Sequence, residues 1–243
     1  MILTLIGMSQ VGKSYYSKML EEQKGFYRFD CDAIIAGRID IDSKLPINPN
    51  VSPTRRLAVW MGVPGDPGYE EKRDEYLKLE EGVMRDILIY LNGLSPEEKR
   101  SHNFVIDTTG SVVHLSDEIK ESLKDVSDEV AYLVSSKVNE DHLLRNFLKE
   151  PKPIVFPDGM YQDDPERGKR RNRVIAYQRL LDYRSKFYKE LQTISIFPED
   201  RKGITNADQF LETMWKSKVE TLYPTNPEHT SFLLPFIGVE KER

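Results

Sequence analysis

The chain has 243 residues, of which 39% are hydrophobic and 31% are charged, a composition typical of a globular domain with room for one insertion or lid. Its formal net charge of -5 argues against a general nucleic-acid-binding role, because duplex-binding proteins usually carry a basic surplus. The single cysteine, Cys31, excludes a disulfide framework and a zinc cluster, so we expect a cytoplasmic protein, and no apolar stretch is long enough to predict a membrane span.

Short apolar runs alternate along the chain with segments of helical periodicity. The runs predict strands at residues 2–6, 26–29, 103–107, 130–134 and 193–197. The periodic segments predict helices at residues 12–22, 70–91, 116–124, 139–149, 171–191 and 206–220. This alternation predicts an α/β fold with a five-stranded parallel sheet in three layers, α/β/α, and ligands at the carboxyl ends of the strands.

Three segments lack this regular pattern. Residues 38–68 are rich in Pro, Gly, Asn and Asp, which predicts a substrate-side insertion that is mostly loop, with one helical turn near residues 55–61. Residues 150–170 contain four prolines and many charges, which predicts an exposed loop or inserted lid. Residues 221–243 are predicted to form a C-terminal tail after a main domain of residues 1–220, and the tail could dock on that domain or on a partner.

The segment that joins the first strand to the first helix reads Gly-x-x-x-x-Gly-Lys-Ser over residues 7–14, which is a phosphate-binding P-loop, or Walker A motif. Gly7 and Gly12 let the backbone curl around phosphates, and the amides at the helix N-terminus bind the anion. The motif predicts a P-loop NTPase-type fold with ATP and Mg²⁺ as cofactors. Lys13 would bridge the β- and γ-phosphates, and Ser14 would give its hydroxyl to the metal. Further nucleotide contacts are expected from Ser9, Val11 and Tyr15.

Carboxylates end the second and third strands. Asp30 and Asp32 follow the second strand, and in extended geometry residues two apart point the same way. One of them could hold hydrated magnesium while the other accepts the proton of an attacking hydroxyl, although an N-cap of the next turn is the structural alternative. Asp107 ends the third strand and could hold Mg²⁺ or a water bound to it.

The exit of the third strand reads Thr108-Thr109-Gly110-Ser111. Gly110 would allow close approach of a substrate, which the hydroxyls could hydrogen-bond, and a plain strand-end turn is the alternative. Together with Asp107 the segment also fits the Asp-x-x-Gly element of GTPases. That reading requires a later Asn-Lys-x-Asp, and Ser136-Lys137-Val138-Asn139 lacks both of its ends. A GTPase-like regulatory switch is therefore the second hypothesis.

Glu80 falls on the apolar stripe of its predicted helix, where a carboxylate is costly unless it is paired. Arg55 or Arg56 could be its partner and could also face an anionic substrate. Alternatively, Glu80 lies at the rim of the stripe, in water.

Positive charges cluster in residues 167–173, beside the predicted lid. They could stabilise a transferring phosphoryl group, or they could be a solvated helix start. A nucleotide or polynucleotide kinase that uses them for the phosphates of its acceptor is a third hypothesis. Arg184, among apolar positions of the same helix, is a stronger candidate for a site residue.

These motifs, in this order, resemble the shikimate kinase family over roughly residues 1–200. The resemblance is carried by the P-loop, by Asp30-Cys31-Asp32, by the strand that leads to Gly110, and by Arg184-x-x-x-Tyr188. It implies ATP-dependent phosphoryl transfer to a hydroxyl of a small molecule.

The resemblance also implies roles for individual residues. Asp32 would orient the acceptor hydroxyl and serve as its base, Asp30 would support magnesium, and Arg184 would grip a carboxylate of the acceptor. Arg145 would pack on adenine, and Lys152 would stand for the lid arginine of the family.

Two departures from the family bear on the acceptor. The triple glycine of the family reads Thr108-Thr109-Gly110 here, and its substrate arginine, three residues before Glu80, is Leu77. A guanidinium–carboxylate pair gives discrimination that an aliphatic side chain cannot replace, so we expect a changed acceptor unless Arg56 or its neighbour substitutes.

Overall fold

The computed structural model describes residues 1–39, 51–149 and 152–222. The tail predicted at residues 221–243 lies outside the described residues apart from its first two positions, and so does the centre of the insertion predicted at residues 38–68.

Five parallel strands form one sheet in the described part of the chain. They are β1 (Ile2–Ile6), β2 (Tyr27–Asp30), β3 (Phe104–Asp107), β4 (Glu129–Leu133) and β5 (Ile194–Ile196), in the spatial order β2-β3-β1-β4-β5. Every residue of β1 is buried, as its apolar run predicts for a central parallel strand. The register pairs Asp107 with Leu5 of β1 and with Asp30 of β2, so the carboxyl ends of these three strands meet at one edge.

Helices cover both faces of this sheet. Within the described ranges they are α1 (Lys13–Lys24), α2 (Cys31–Arg38), α3 (Pro53–Met61), α4 (Tyr69–Gly93), α5 (Pro96–Ser101), α6 (Asp117–Val126), α7 (Lys137–Lys149), α8 (Gly168–Leu191) and α9 (Ala207–Leu222), with a 3₁₀ helix at Val112–His114. Ile2 and Ile6 of β1 pack with α4 and α6, whereas Leu3 and Leu5 pack with α1 and α9. This arrangement confirms the predicted three-layer α/β/α architecture.

Two helices, α2 and α5, lie where the sequence predicted none. α2 begins directly after β2, and Asp30 is its N-cap, because Oδ1 of Asp30 accepts a hydrogen bond from the N–H of Ala33 at 3.0 Å. The extended geometry assumed for the two aspartates is therefore wrong, since Asp32 lies in the first turn of a helix. α3 is a helix of nine residues rather than a single turn, and Ser52 caps it.

The centre of the predicted lid at residues 150–170 is buried, so the expectation of an exposed loop is wrong there. Ile154, Val155 and Phe156 are at most 3% exposed. The hydroxyl of Tyr69, on α4, donates to the carbonyl of Ile154 and accepts from the N–H of Phe156, both at 2.9 Å. The segment holds this position because its side chains join the core while Tyr69 satisfies its backbone hydrogen bonds.

None of the described helices is long and apolar enough to cross a membrane.

Candidate functional site

The turn between β1 and α1 has a backbone that only a few residue types can adopt. Gly7 and Gly12 have φ angles of 137° and 107°, and Gln10 is a non-glycine residue with a positive φ of 72°. A Cβ atom on Gly7 would lie 2.8 Å from the carbonyl oxygen of Leu133 at the end of β4. Glycine at this position therefore lets the turn pack directly against the neighbouring strand.

Lys13 begins α1 at the mouth of this turn and is only 6% exposed. Its ammonium donates to the carbonyls of Gly7 and Met8 at 2.8 and 3.0 Å. Burial lowers the pKa of Lys13, and the charges of Asp107 and Asp32 oppose that shift. The lysine thus lies against the turn, close enough to Asp107 and Asp32 for their charges to act on it.

The other residues of the turn lie around Lys13. Ser9, Val11 and Gly12 are partly exposed, and Ser14 and Tyr15 are exposed in the first turn of α1. No side chain caps the N-terminus of α1 with a hydrogen bond, so the first amides of this helix are available to an anion.

Arg28, which the sequence reasoning did not consider, joins the two aspartates predicted to hold metal. Its Nη2 donates to Oδ2 of Asp30 at 2.7 Å and to Oδ2 of Asp107 at 2.8 Å. Its Nε donates to the hydroxyl of Ser17, which in turn donates to Asp107 at 2.9 Å. The sequence did contain a signal for the contact with Asp30. Arg28 lies two residues before Asp30 on the same strand, and residues two apart on a strand share a face.

This network limits which groups could hold magnesium. Both oxygens of Asp30 are engaged, one by the α2 cap and one by Arg28. Oδ1 of Asp107 takes no hydrogen bond from a described residue, and the hydroxyl of Ser14 is exposed. The described residues contain no cluster of three or more His, Cys, Asp or Glu side chains that could hold a metal. The remaining donors nevertheless fit Mg²⁺ bound to a nucleotide, because that ion takes most of its ligands from phosphates and water.

Asp32 lies near Lys13 and keeps some access to solvent. Burial raises its pKa to about 6; Lys13 opposes this shift and Asp107 adds to it. The hydroxyl of Tyr76 on α4 donates to Oδ1 of Asp32 at 3.3 Å. A carboxylate with a pKa in this range can exchange a proton near neutral pH.

Glu80 is 2% exposed, so the alternative that places it at a solvated rim is wrong. The hydroxyls of Thr109 and Ser111 donate to its two carboxylate oxygens, the second at 2.6 Å. Burial raises the pKa of Glu80 to about 7, although both hydrogen bonds oppose this shift. Of the two arginines considered as its partner, Arg55 is exposed and Arg56 is buried in α3. Glu80 thus holds the loop that carries Gly110.

Arg184 is a buried cation, 1% exposed, whose hydrogen-bond partners are uncharged. Its Nε donates to Nε2 of His114 at 3.0 Å, and its Nη2 donates to the carbonyl of Val155 at 2.6 Å. No described carboxylate forms an ion pair with it. Its Nη1 lies beside Gly110, since a Cβ atom there would be 3.3 Å from Nη1 and 3.0 Å from the amide nitrogen of Ser9. Gly110 therefore lets Arg184 and the turn approach each other.

Two other predicted residues stand further out. Arg145 is exposed on α7, and its Nε donates to the carbonyl of Asp141, one turn earlier in the helix. Lys152 is exposed but close enough to Lys13 and Asp32 to influence the pKa of each.

Part of the basic segment at residues 167–173 serves to hold a neighbouring loop. Lys169 donates to the carbonyl of Gly65 at 3.2 Å, and Arg173 donates to the carboxylate of Asp66 at 2.5 Å. These contacts favour a structural role for the two cations over a role at the turn.

Arg201 was also missed by the sequence reasoning. It follows β5, and its two terminal nitrogens donate to the carbonyls of Val11 and Val134 at 2.5 Å each. The guanidinium thereby ties the turn to the end of β4. No local pattern signals this contact, because Arg201 is distant from both partners in the sequence.

A cleft of about 260 Å³ opens beside Arg184. Both hydrogen-bond partners of Arg184 border it, together with Leu77. The remaining lining residues are Arg73, Asp74, Phe156, Pro157 and Asp158.

The parallel sheet, its order and the turn after β1 define a three-layer α/β/α fold of the P-loop NTPase type. More narrowly, the chain has a shikimate kinase-like fold. The shikimate kinase of Acinetobacter baumannii, solved in complex with shikimate, superposes with a TM-score of 0.50 at 16% identity, over 93% of this chain and 94% of that one. The Aquifex aeolicus shikimate kinase gives 0.50 at 16% identity, over 92% and 99%. The Bacteroides thetaiotaomicron shikimate kinase gives 0.49 at 15% identity, over 92% and 98%.

No protein-family model and no curated protein sequence matches this chain significantly.

Proposed function

We propose that this protein is a kinase that transfers the γ-phosphoryl group of ATP, in the presence of Mg²⁺, to a hydroxyl of a small molecule. The observation that carries the proposal is the position of Lys13, which donates to two carbonyls of the turn and lies close enough to Asp107 and Asp32 for their charges to act on its pKa. A terminal phosphate bound to the turn would therefore face the carboxylate best suited to accept a proton.

The proposal gives each residue of this site a task in binding or in transfer. The turn amides and Lys13 bind the phosphates, and Lys13 stabilises the charge that develops during transfer. Ser14 and Asp107 would hold Mg²⁺, which neutralises the phosphate oxygens. Asp32 orients the acceptor hydroxyl and takes its proton, as its pKa of about 6 allows.

The acceptor is proposed to carry an anionic group. Arg184 is a buried guanidinium that forms no ion pair with a described carboxylate, and its Nη1 lies beside Gly110 and the turn. A buried cation of this kind favours a carboxylate or phosphate on the ligand. Leu77 contributes an apolar wall to the adjoining cleft, so the rest of the acceptor need not match shikimate.

Lys152 is proposed to act near the phosphates of the nucleotide, and Arg145 near its adenine.

The GTPase reading has no comparable support. The hydroxyl of Thr108 donates to the carbonyl of Leu5 at 2.7 Å, and that of Thr109 donates to Glu80, so both threonines serve to hold the loop. Competition between ATP and GTP for the purified protein tests this point, and preferential binding of GTP would support the hypothesis of a GTPase-like switch.

The direct test is a phosphotransfer screen with ATP and Mg²⁺ over shikimate, gluconate, nucleosides and other polyols. We expect transfer to at least one small hydroxylated anion and a loss of about a hundredfold or more in Lys13→Ala, because the lysine charge is removed from the transition state. Lys18→Ala is the matched control, since Lys18 is an exposed lysine of the same helix. Full activity of Lys13→Ala would contradict the proposal.

A further inference from the structure

We propose that His114 is a positioning residue that holds the guanidinium of Arg184 in the orientation that presents Nη1 to Gly110 and the phosphate-binding turn. Its consequence for acceptor binding rests on the function proposed above. The geometry of the pair, however, can be tested without any activity.

The hydrogen bond between the two side chains determines where the proton of His114 lies. Arginine has only donors, so the contact of 3.0 Å from Nε of Arg184 requires Nε2 of His114 to be the acceptor. The imidazole is therefore neutral, with its proton on Nδ1. An imidazolium would place two donors against each other and a second positive charge beside the first.

The surroundings of His114 keep this state across the working pH range. The pKa of His114 is lowered to about 2 by burial first, and then by the charges of Arg184 and Lys120. The ring stacks on Tyr183 of α8, with centroids 5.8 Å apart and planes inclined by 13°. The stacking fixes the plane of the ring, and hence the direction of the lone pair on Nε2.

The position of His114 in the chain couples it to the candidate site. It ends the 3₁₀ helix that follows Gly110 and Ser111, so one short segment carries both the close contact with Nη1 and the acceptor for Nε. The carbonyl of Val155 holds Nη2. With two of its three nitrogens fixed, Arg184 can only direct Nη1 towards the turn.

A neutral partner suits a cation that must attract a ligand. A carboxylate in the place of His114 would orient Arg184 but would also cancel its charge, which would weaken its attraction for an anion. Neutral imidazole orients the guanidinium and leaves the full charge available. The arrangement therefore increases the selectivity of the site for an acceptor with an anionic group.

Three substitutions separate the hydrogen bond from the bulk of the ring. In His114→Gln the amide oxygen falls near the place of Nε2 and can accept from Arg184, whereas in His114→Asn it falls near Nδ1. His114→Leu fills space without an acceptor. We expect His114→Gln to keep the KM for the acceptor within about threefold and the other two to raise it by about tenfold or more, since a hydrogen bond to a charged group contributes about 1.5–3 kcal/mol. The kcat and the KM for ATP should change little.

NMR of the ¹⁵N-labelled full chain provides the readout that does not need activity. We expect His114 to show a protonated Nδ1 and an unprotonated Nε2 from pH 8 to 5, and the Nε–H signal of Arg184 to move in His114→Leu and to return in His114→Gln. A proton on Nε2, a titration within this range, or equal effects of Gln and Asn would overturn the proposal. If the screen returns no acceptor, the proposed function fails, and the spectra still decide the role of His114.

Discussion

Asp32 and Glu80 are two carboxyl groups of the candidate site whose surroundings differ. Asp32 keeps access to solvent and lies near Lys13, whereas both oxygens of Glu80 accept hydrogen bonds from hydroxyls of its own protein. Burial raises the pKa of each, and only Asp32 has a free position for an acceptor hydroxyl. The two residues therefore predict different responses to pH.

For Asp32 the prediction concerns the rate of transfer. Its carboxylate must be ionised to take the proton of the acceptor, so kcat/KM for the acceptor should rise with pH through about 6 and then level off. Asp32→Asn should lower turnover strongly and spare ATP binding. In Glu80→Gln, kcat/KM for the acceptor should still rise with pH through about 6. A profile that is flat between pH 5 and 8 would exclude Asp32 as the base, and loss of ATP binding in Asp32→Asn would indicate a role in metal binding or structure.

For Glu80 the prediction concerns stability. Its pKa is about 7 in the folded state against an ordinary value of 4.5, so over that interval the unfolded chain loses its proton first and stability falls as pH rises. Glu80→Gln cannot ionise, so its free energy of unfolding relative to the wild type should rise by about 2 to 3 kcal/mol between pH 4.5 and 8.

Urea unfolding at both pH values measures this difference. Glu121→Gln, a substitution at an exposed glutamate of α6, is the control and should show little change. A difference that does not depend on pH would show that Glu80 ionises normally in the folded protein.

At the residue scale, the sequence was sufficient to identify those site residues that belong to a recognisable motif. The P-loop lysine, the acid after β2 and the glycine after β3 all lie at one edge of the sheet, as expected from their positions at strand ends. Arg28, His114 and Arg201 were not found. Their partners in the site are set by tertiary packing, and only Arg28 had a local signal, because residues two apart on a strand share a face.

At the scale of elements, the junction of β2 with α2 is the feature that most changes the interpretation. Asp30 ends the strand and caps the helix, and Arg28 engages its second oxygen. The predicted metal ligand is thus engaged in holding two elements together. This geometry favours the N-cap alternative that the sequence left open.

Two substitutions of Asp30 test this interpretation. Asp30→Asn keeps an oxygen that can accept from Ala33, so we expect it to lose at most about 1 kcal/mol, whereas Asp30→Ala should lose about 1–2 kcal/mol of stability with the cap. Both values come from urea unfolding. The Mg²⁺ concentration needed for nucleotide binding should be unchanged in Asp30→Asn. A clear increase would show that Asp30 contributes to metal binding.

The elements themselves were predicted to different degrees. Long periodic helices such as α4 and α8 and the apolar strands were found within a few residues of their observed ends. α2 was missed because the acid pair was read as the end of an extended strand, and α5 because it has only six residues. The prediction for the lid rested on its prolines and charges, whereas three consecutive buried residues, Ile154, Val155 and Phe156, determine its position.

At the scale of the whole molecule, strand order brings the site together. β1 lies between β3 and β4, so the turn that follows it adjoins Asp107 on one side and the end of β4 on the other. Arg184 and Arg201 reach this edge from elements far along the chain. The alternation of strands and helices predicted a parallel sheet, but it did not specify which distant side chains would meet there, because those contacts depend on helix packing.

The central claim is that the turn at residues 7–14 binds a triphosphate whose terminal group faces Asp32. The most direct measurement is a crystal structure of the full chain with Mg²⁺ and a non-hydrolysable ATP analogue. We predict phosphates against the amides of this turn, with the ammonium of Lys13 moved from the carbonyls of Gly7 and Met8 onto the phosphates. A nucleotide bound elsewhere, or bound in the turn with Asp32 pointing away from it, would contradict the account.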